Sequence, residues 1–320
     1  MKRTVLAAAI FLSVSSSVSA QEPIWDANKV NLESQKLAEG VYAVIPENAQ
    51  AMAAMGQAIA TTSGFVIGNE GVLVIDSMLN ERLHRQLFEL IAAETSLPVK
   101  YMVNTSFHGD HSYGNHYLAS DVVIIQHAKT QRYIDTHFAE DVAFMMQNFG
   151  EGRGIDAIQP TDADLLVGQR ASLTVDLGGV SVDIQDYGFA QTGGDLFVSV
   201  PAANVLWTGN PVISTKPAVP WLLDGHLLET RQTLQAVYDA NNSETIVVPG
   251  HGPVTNLESI QWNIDYLDAI EAEVGAAIED GLSLEETVVR VKLPEFHGYA
   301  LFDWVHPSLN VPAAYRDLQP

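Results

Sequence analysis

Three apolar runs in this chain of 320 residues each end in a polar, glycine-bearing turn. They read "KYMV" into "NTSFHGDH" (100–111), "NVLW" into "TGN" (204–210) and "TIVV" into "PGHGP" (245–253). Short runs of β-branched and aromatic residues bounded by turn formers are strands. Strands gathered into sheets place their C-terminal turns along one edge, where loops far apart in sequence converge. On this pattern His108, Asp110, His111, Asn210 and His251 share one cleft.

The remaining sequence alternates between strand and helix periods. "GVYAVIP" (40–46), "TTSGFVIG" (61–68), "GVLVIDS" (71–77) and "DVVIIQH" (121–127) read as strands, the middle two paired as a hairpin. "ASLTVDL", "VSVDIQDYG" and "DLFVSVP" form a second group between residues 171 and 201. Residues 80–95 carry Leu83, Leu87, Leu90 and Ile91 on one helical face, and 128–149 and 226–240 also read as helices. Residues 258–279 repeat the pattern with Ile264, Leu267, Ile270, Val274 and Ile278, and Ser283 with Glu286 forms a capping box that opens a further helix. Two strand groups with helices to cover both outer faces predict an α/β protein, a four-layer αββα sandwich. No repeat or low-complexity linker divides it, so residues 21–320 are expected to be one domain with a C-terminal helical extension.

The first 20 residues differ in kind. Lys2 and Arg3 precede an apolar stretch and the small residues Val18, Ser19 and Ala20. That is the layout of a secretory signal cleaved after Ala20, too short to span a bilayer. It predicts a periplasmic or secreted protein. No later stretch approaches the ~20 apolar residues of a membrane span, so no membrane association is expected. With no cysteine, any metal must be held by histidine and by carboxyl or amide oxygen. The 16 basic and 39 acidic side chains give a formal charge of −23, which repels nucleic acid and anionic membranes. The expected partner is a small molecule, neutral or with its charge met locally.

The spacing His108-x-Asp110-His111 lets a tight turn aim Asp110 and His111 at one ion. His251 would be the third ligand and the Asn210 amide oxygen a fourth, although "TGN" is equally an ordinary turn. Zn²⁺ accepts such nitrogen and oxygen ligands and, in catalytic sites, keeps a position for water.

This ordering of motifs resembles the metallo-β-lactamase superfamily over residues 40 to 255. The superfamily pattern is His-x-His-x-Asp-His, a His before a "TGGD"-like turn, an Asp in "TGD" and a late "GH". The resemblance implies the αββα sandwich and a hydrolytic zinc centre. Three positions depart from the pattern: Ser106 stands for the first His, Gln191 in "AQTGGD" for the next, and Asn210 for the bridging Asp. The resemblance then implies one catalytic zinc, with His108 released from ligation to act as general base or proton donor. Asn210 in place of a carboxylate would leave the zinc a stronger Lewis acid. Ser106 would hydrogen-bond His108 or the nucleophile, or simply cap the turn.

The Ser106-x-His108-x-Asp110-His111 pattern with Asn210 and the single late His251 resembles the branch of the superfamily that dechlorinates chlorothalonil by hydrolysis, while Gln191 departs from that branch, where a smaller polar residue is expected. That likeness implies attack of a zinc-bound hydroxide on an aryl carbon and expulsion of chloride. Trp221, in "PAVPWLLDG", and Met52 and Met55, in the apolar segment 47–60, are candidate pocket walls, with Gln191 at the substrate. Trp221 equally suits a core position behind prolines. His137 and Glu140, three apart on a helix, are the candidate ligands of a structural zinc between two chains of a homodimer, or a solvated helical face. Asp76, ending "VLVID", resembles the superfamily's early Asp, which implies that it orients the metal loop rather than ligating. A lactam, lactone or ester hydrolase and a catalytically inactive periplasmic binding protein remain open alternatives.

Overall fold

Successive side chains of a strand face opposite ways, and here both directions are apolar. Val72 and Val74 turn toward one cluster of buried side chains while Leu73 and Ile75 turn toward another. Such a strand must be covered twice, by helices outside and by a second sheet inside. The computed structural model describes residues 23–319 and shows this arrangement. The leader expected at residues 1–20 lies outside them.

The first sheet holds β1 (Leu32–Ala38), β2 (Val41–Pro46), β3 (Ser63–Ile67), β4 (Val72–Ile75), β5 (Val99–Val103), β6 (Val123–His127) and β7 (Leu165–Val167), in that spatial order. The second holds β8 (Ser172–Asp176), β9 (Ser181–Gln185), β10 (Phe197–Val200), β11 (Val205–Gly209) and β12 (Ile246–Pro249), ordered β12-β11-β10-β9-β8. Strands β4 to β7 run parallel, as do β11 and β12. The helices are α1 (Ala49–Ala54), α2 (Glu81–Glu94), α3 (Gly109–Ser112), α4 (Ala128–Phe149), α5 (Leu227–Asp239), α6 (Leu257–Glu279), α7 (Leu284–Arg290), α8 (Phe302–Val305) and α9 (Val311–Leu318). α2 and α4 cover the outer face of the first sheet, and α5, α6 and the C-terminal helices cover the second. The four-layer αββα expectation is met.

Local signals set the ends of these elements. The Asn80 side chain accepts the Leu83 N–H at the start of α2, and Ser283 and Glu286 form both bonds of their capping box at α7. Two strands were not expected, β1 and β7. Both are sheet edges, and the exposed positions of β1 and the exposed Leu165 and Leu166 of β7 give no apolar alternation to read. Among the described residues no helix is long and apolar enough to cross a membrane.

Between the sheets, Trp207 of β11 is 2% exposed and lies against Gly64 of β3, where an added Cβ would fall 2.5 Å from the indole nitrogen. Trp207→Ala is expected to lower unfolding free energy by about 3–5 kcal/mol through transfer and cavity terms. A denaturant titration followed by far-UV circular dichroism measures it.

Candidate metal centre

The parallel strands β4, β5, β11 and β12 all deliver their C-terminal turns to one edge of the sandwich. Asp76 follows β4, residues 104–111 follow β5, Asn210 follows β11 and His251 follows β12. Backbone bonds lock these turns across the two sheets. Thr62 N–H donates to Gly250 O at 2.8 Å, His251 N–H to Ile213 O at 2.8 Å, and Leu196 N–H to Thr105 O at 2.8 Å.

Asp110, His111 and His251 come together, each offering one ligand atom within 4.8 Å of the others. The Asp110 carboxylate lies 3.6 Å from Nε2 of His111 and 3.6 Å from Nε2 of His251. Both imidazoles are fixed through their other nitrogen. His111 Nδ1 donates to Asp76 Oδ2 at 2.7 Å, and His251 Nδ1 to Ile59 O at 2.9 Å. Those bonds set the tautomer and leave each Nε2 lone pair free for a cation. The second Asp110 anchor is Thr61, whose hydroxyl donates at 2.6 Å.

Electrostatics suit a cation here. Burial works against charge on His111, but Asp76 and Asp110 outweigh it and raise the imidazole to about 9. The two carboxylates that favour a proton there favour a divalent metal in its place. Burial also opposes ionisation of Asp110, yet the histidines and Thr61 hold its carboxyl below the usual range. Burial takes His251 and His108 down to about 4, leaving both neutral at pH 7. The donor set, with His111 Nε2 buried and without a partner, fits a bound divalent ion.

The loop that carries these ligands is held from behind. Asp76 sits in the left-handed region at φ 59°, a conformation that costs a non-glycine residue about 1–3 kcal/mol. Its Oδ1 takes the Thr105 N–H at 2.7 Å, and its Oδ2 takes the Thr105 hydroxyl at 2.8 Å as well as His111. The His111 carbonyl accepts from Ser77 N–H and from the Asn104 amide, which is itself bonded to Asn115 and Gln126. Gly109 has no room for a side chain: a Cβ there would lie 2.4 Å from the Tyr113 ring.

His108 and Asn210 line the same cavity as Asp110 and His251, and so do Gln191 and Trp221. Ser106 is fully buried on the same turn, its hydroxyl without a partner. The wall of the cavity is mostly apolar: Ile24 and Trp25, Phe144, Met145 and Phe149 of α4, Ile213, Trp221, Tyr299 and Leu301. Met52 and Met55 are not in that wall. Met52 lies in a neighbouring groove and Met55 is 62% exposed, while the same segment faces the cavity through Gln57, Ala58 and Ile59. His137 and Glu140 stand on the exposed face of α4, with His137 stacked on Tyr133 and its Nδ1 bonded to the Thr136 hydroxyl at 2.6 Å.

Sequence reasoning missed Thr61, Ser214 and the wall from α4 and residues 24, 25, 299 and 301. Only position in the fold distinguishes these ordinary residues, and no motif marks them.

With β4, β5, β11 and β12 delivering a buried Asp/His/His group to one edge of an αββα sandwich, the fold is that of the metallo-β-lactamases. Solved structures similar to the chain include the metallo-β-lactamase from Pontibacter korlensis, with TM-score 0.57 and 19% identity over 74% of this chain and 99% of that one. DIM-1 metallo-β-lactamase exposed to ceftazidime is similar at TM-score 0.57 and 15% identity over 74% of this chain and 97% of that one. The inverting sec-alkylsulfatase Pisa1 from Pseudomonas sp. aligns with 90% of this chain and 50% of its own, at TM-score 0.71 and 16% identity. No family model and no curated protein matches the chain.

Removing the Asp76 carboxylate frees the His111 ring and unties Thr105. Asp76→Ala is expected to weaken metal affinity roughly 10–100-fold. Competition with a chromophoric chelator measures this without any substrate.

Proposed function

We propose that the chain is an exported hydrolase with one catalytic zinc that replaces an aryl chlorine of neutral chlorinated aromatic nitriles, such as chlorothalonil, with hydroxyl. The observation that carries this reading is the cavity: one polar end holding a single Asp110/His111/His251 group, and otherwise an aromatic and aliphatic wall. Among the described residues that line it there is no Lys or Arg. A carboxylate or sulfate on the substrate would find no side-chain counter-charge, whereas a flat uncharged ring finds apolar surface on several sides.

Zinc held by Asp110, His111 and His251, with the Asn210 amide oxygen as a further ligand, would supply Lewis acidity and ease ionisation of water near neutral pH. The protein's own groups supply the rest. Trp25, Phe149 and Trp221 offer apolar surface to the ring. His108 is neutral at pH 7, so a ring lone pair is free to take the proton of the attacking water. The new C–O bond forms at the ring carbon, the C–Cl bond breaks, and chloride leaves with the bonding pair. The net change is aryl chloride and water to phenol, chloride and one proton.

A second reading, carbonyl hydrolysis of a lactam, lactone or ester, draws on the likeness to the β-lactamase structures. The periplasmic location and the homodimer with a zinc at His137 and Glu140 belong to the proposal too, resting on the leader and on the spacing alone.

Purified protein is expected to release chloride from chlorothalonil, read by a halide electrode. Turnover of nitrocefin or a lactone with no chloride release would sink the aryl reading. His108→Ala is expected to lower kcat by about 10²–10⁴ with metal content unchanged, and an unaffected kcat would remove His108 from proton transfer. Trp221→Ala is expected to raise KM several-fold, in line with about 0.5–1.5 kcal/mol for an aromatic pair.

A further inference from the structure

Residues 211–226 join β11 to α5 without a helix or strand, yet Ile213, Ser214, Trp221 and Leu223 line the cavity from this stretch. Its first part is pinned to the turn after β12, with Gly250 N–H donating to Val212 O and His251 N–H to Ile213 O. Around Trp221 the backbone offers less. Pro217 and Pro220 have no N–H to give. Among the described residues no backbone group bonds Pro220 O or Leu222 N, the two peptide groups that flank Trp221.

One side chain takes both. Asn310 Oδ1 accepts the Leu222 N–H at 2.9 Å, and Asn310 Nδ2 donates to Pro220 O at 2.7 Å. A primary amide carries an acceptor and a donor side by side, so it stands in for the backbone of a neighbouring strand.

Asn310 is itself aimed from behind. Its Nδ2 also donates to the Tyr266 hydroxyl at 2.9 Å, Tyr266 pairs with His306 Nδ1 at 2.8 Å, and His306 Nε2 with Val291 O at 3.1 Å. The ends of this chain set its direction. A carbonyl only accepts, so Nε2 carries the imidazole proton, Nδ1 accepts from the Tyr266 hydroxyl, and the phenol oxygen accepts from Asn310. Burial holds His306 below its ordinary range, which keeps the ring neutral for this role. All three side chains are buried, and none of their polar atoms is left without a partner.

The backbone under this chain is a widened turn, His306–Asn310, between α8 and α9. Pro307 has no N–H for the preceding turn of helix, and the helix opens there. The turn directs His306 and Asn310, four apart, to Tyr266 of α6. Just before it, Trp304 meets the Trp221 indole edge-on, with ring centroids 5.2 Å apart. The C-terminal extension therefore grips Trp221 by its backbone and by its ring. An apolar side chain would fill the Asn310 site without desolvating an amide. What the amide adds is a fixed path for the residue that faces the cavity.

We propose that Asn310 is a positioning residue that holds Trp221 against the substrate, with Tyr266 and His306 aligning its amide. The inference rests on the reading that this cavity receives the substrate.

The probe is the tryptophan band of the near-UV circular dichroism, with the Trp221 component taken as wild type minus Trp221→Ala. Asn310→Ala is expected to lose that component. With chlorothalonil it is expected to raise KM about as much as Trp221→Ala does, with kcat and metal content unchanged. In the Trp221→Ala background, Asn310→Ala is expected to change neither the band nor KM further. Tyr266→Phe keeps the bonds to Pro220 and Leu222 but removes the hydroxyl behind the amide. It is expected to lose part of the same component, and it decides the matter if Asn310→Ala does not fold. A Trp221 component retained in folded Asn310→Ala, or in Tyr266→Phe where that variant decides, would overturn the proposal. So would an effect of Asn310→Ala that is just as large without Trp221. Absence of chloride release by the wild type would remove the dehalogenation reading, while the circular dichroism would still decide the role of Asn310.

Discussion

The bond between Asp76 and His111 is the interaction on which the site depends. A buried carboxylate is costly unless its lone pairs are filled, and Asp76 fills them with the Thr105 N–H, the Thr105 hydroxyl and the His111 ring. In doing so it ties the turn after β4 to the turn after β5 and settles which nitrogen of His111 faces the cavity. The left-handed backbone at Asp76 is tolerated because these three bonds over-determine it. His251 obeys the same logic from the other sheet, held by a backbone carbonyl rather than a carboxylate. The sandwich is therefore a device for bringing two independently anchored imidazoles to one carboxylate, Asp110.

That arrangement also explains what surrounds the trio. Ser106, Gln191 and Asn210 are neutral where the superfamily pattern implies His, His and Asp. Each remains buried with unpartnered atoms, and Gln191 and Asn210 line the cavity. His108 keeps its place in the cavity while burial keeps it neutral. On the proposed one-metal reading, His108 would be a neutral base beside a single cation, a different instrument from a pair of metals.

Much of the fold was legible because the central strands alternate between two buried faces and the covering helices carry apolar stripes. The edge strands β1 and β7 were not, since an edge strand has a solvated face and little pattern. The buried group of Asp110, His111 and His251 was legible because these residue types on glycine-containing turns have few other uses. The apolar wall was not. Trp25, Phe149 and Tyr299 are remote in sequence and indistinguishable from core residues until the N-terminal segment, α4 and the C-terminal extension are packed together. The Ala- and Met-rich segment presents a different face from the one expected: Met55, just after α1, is exposed, and Ile59 meets the cavity.

The central claim is a one-metal centre, and metal stoichiometry tests it most directly. Protein purified with excess zinc and then desalted should carry one equivalent per chain in the cleft by plasma mass spectrometry, and His251→Ala should lose it. Two equivalents held by the cleft, the second dependent on His108 and Gln191, would contradict the account.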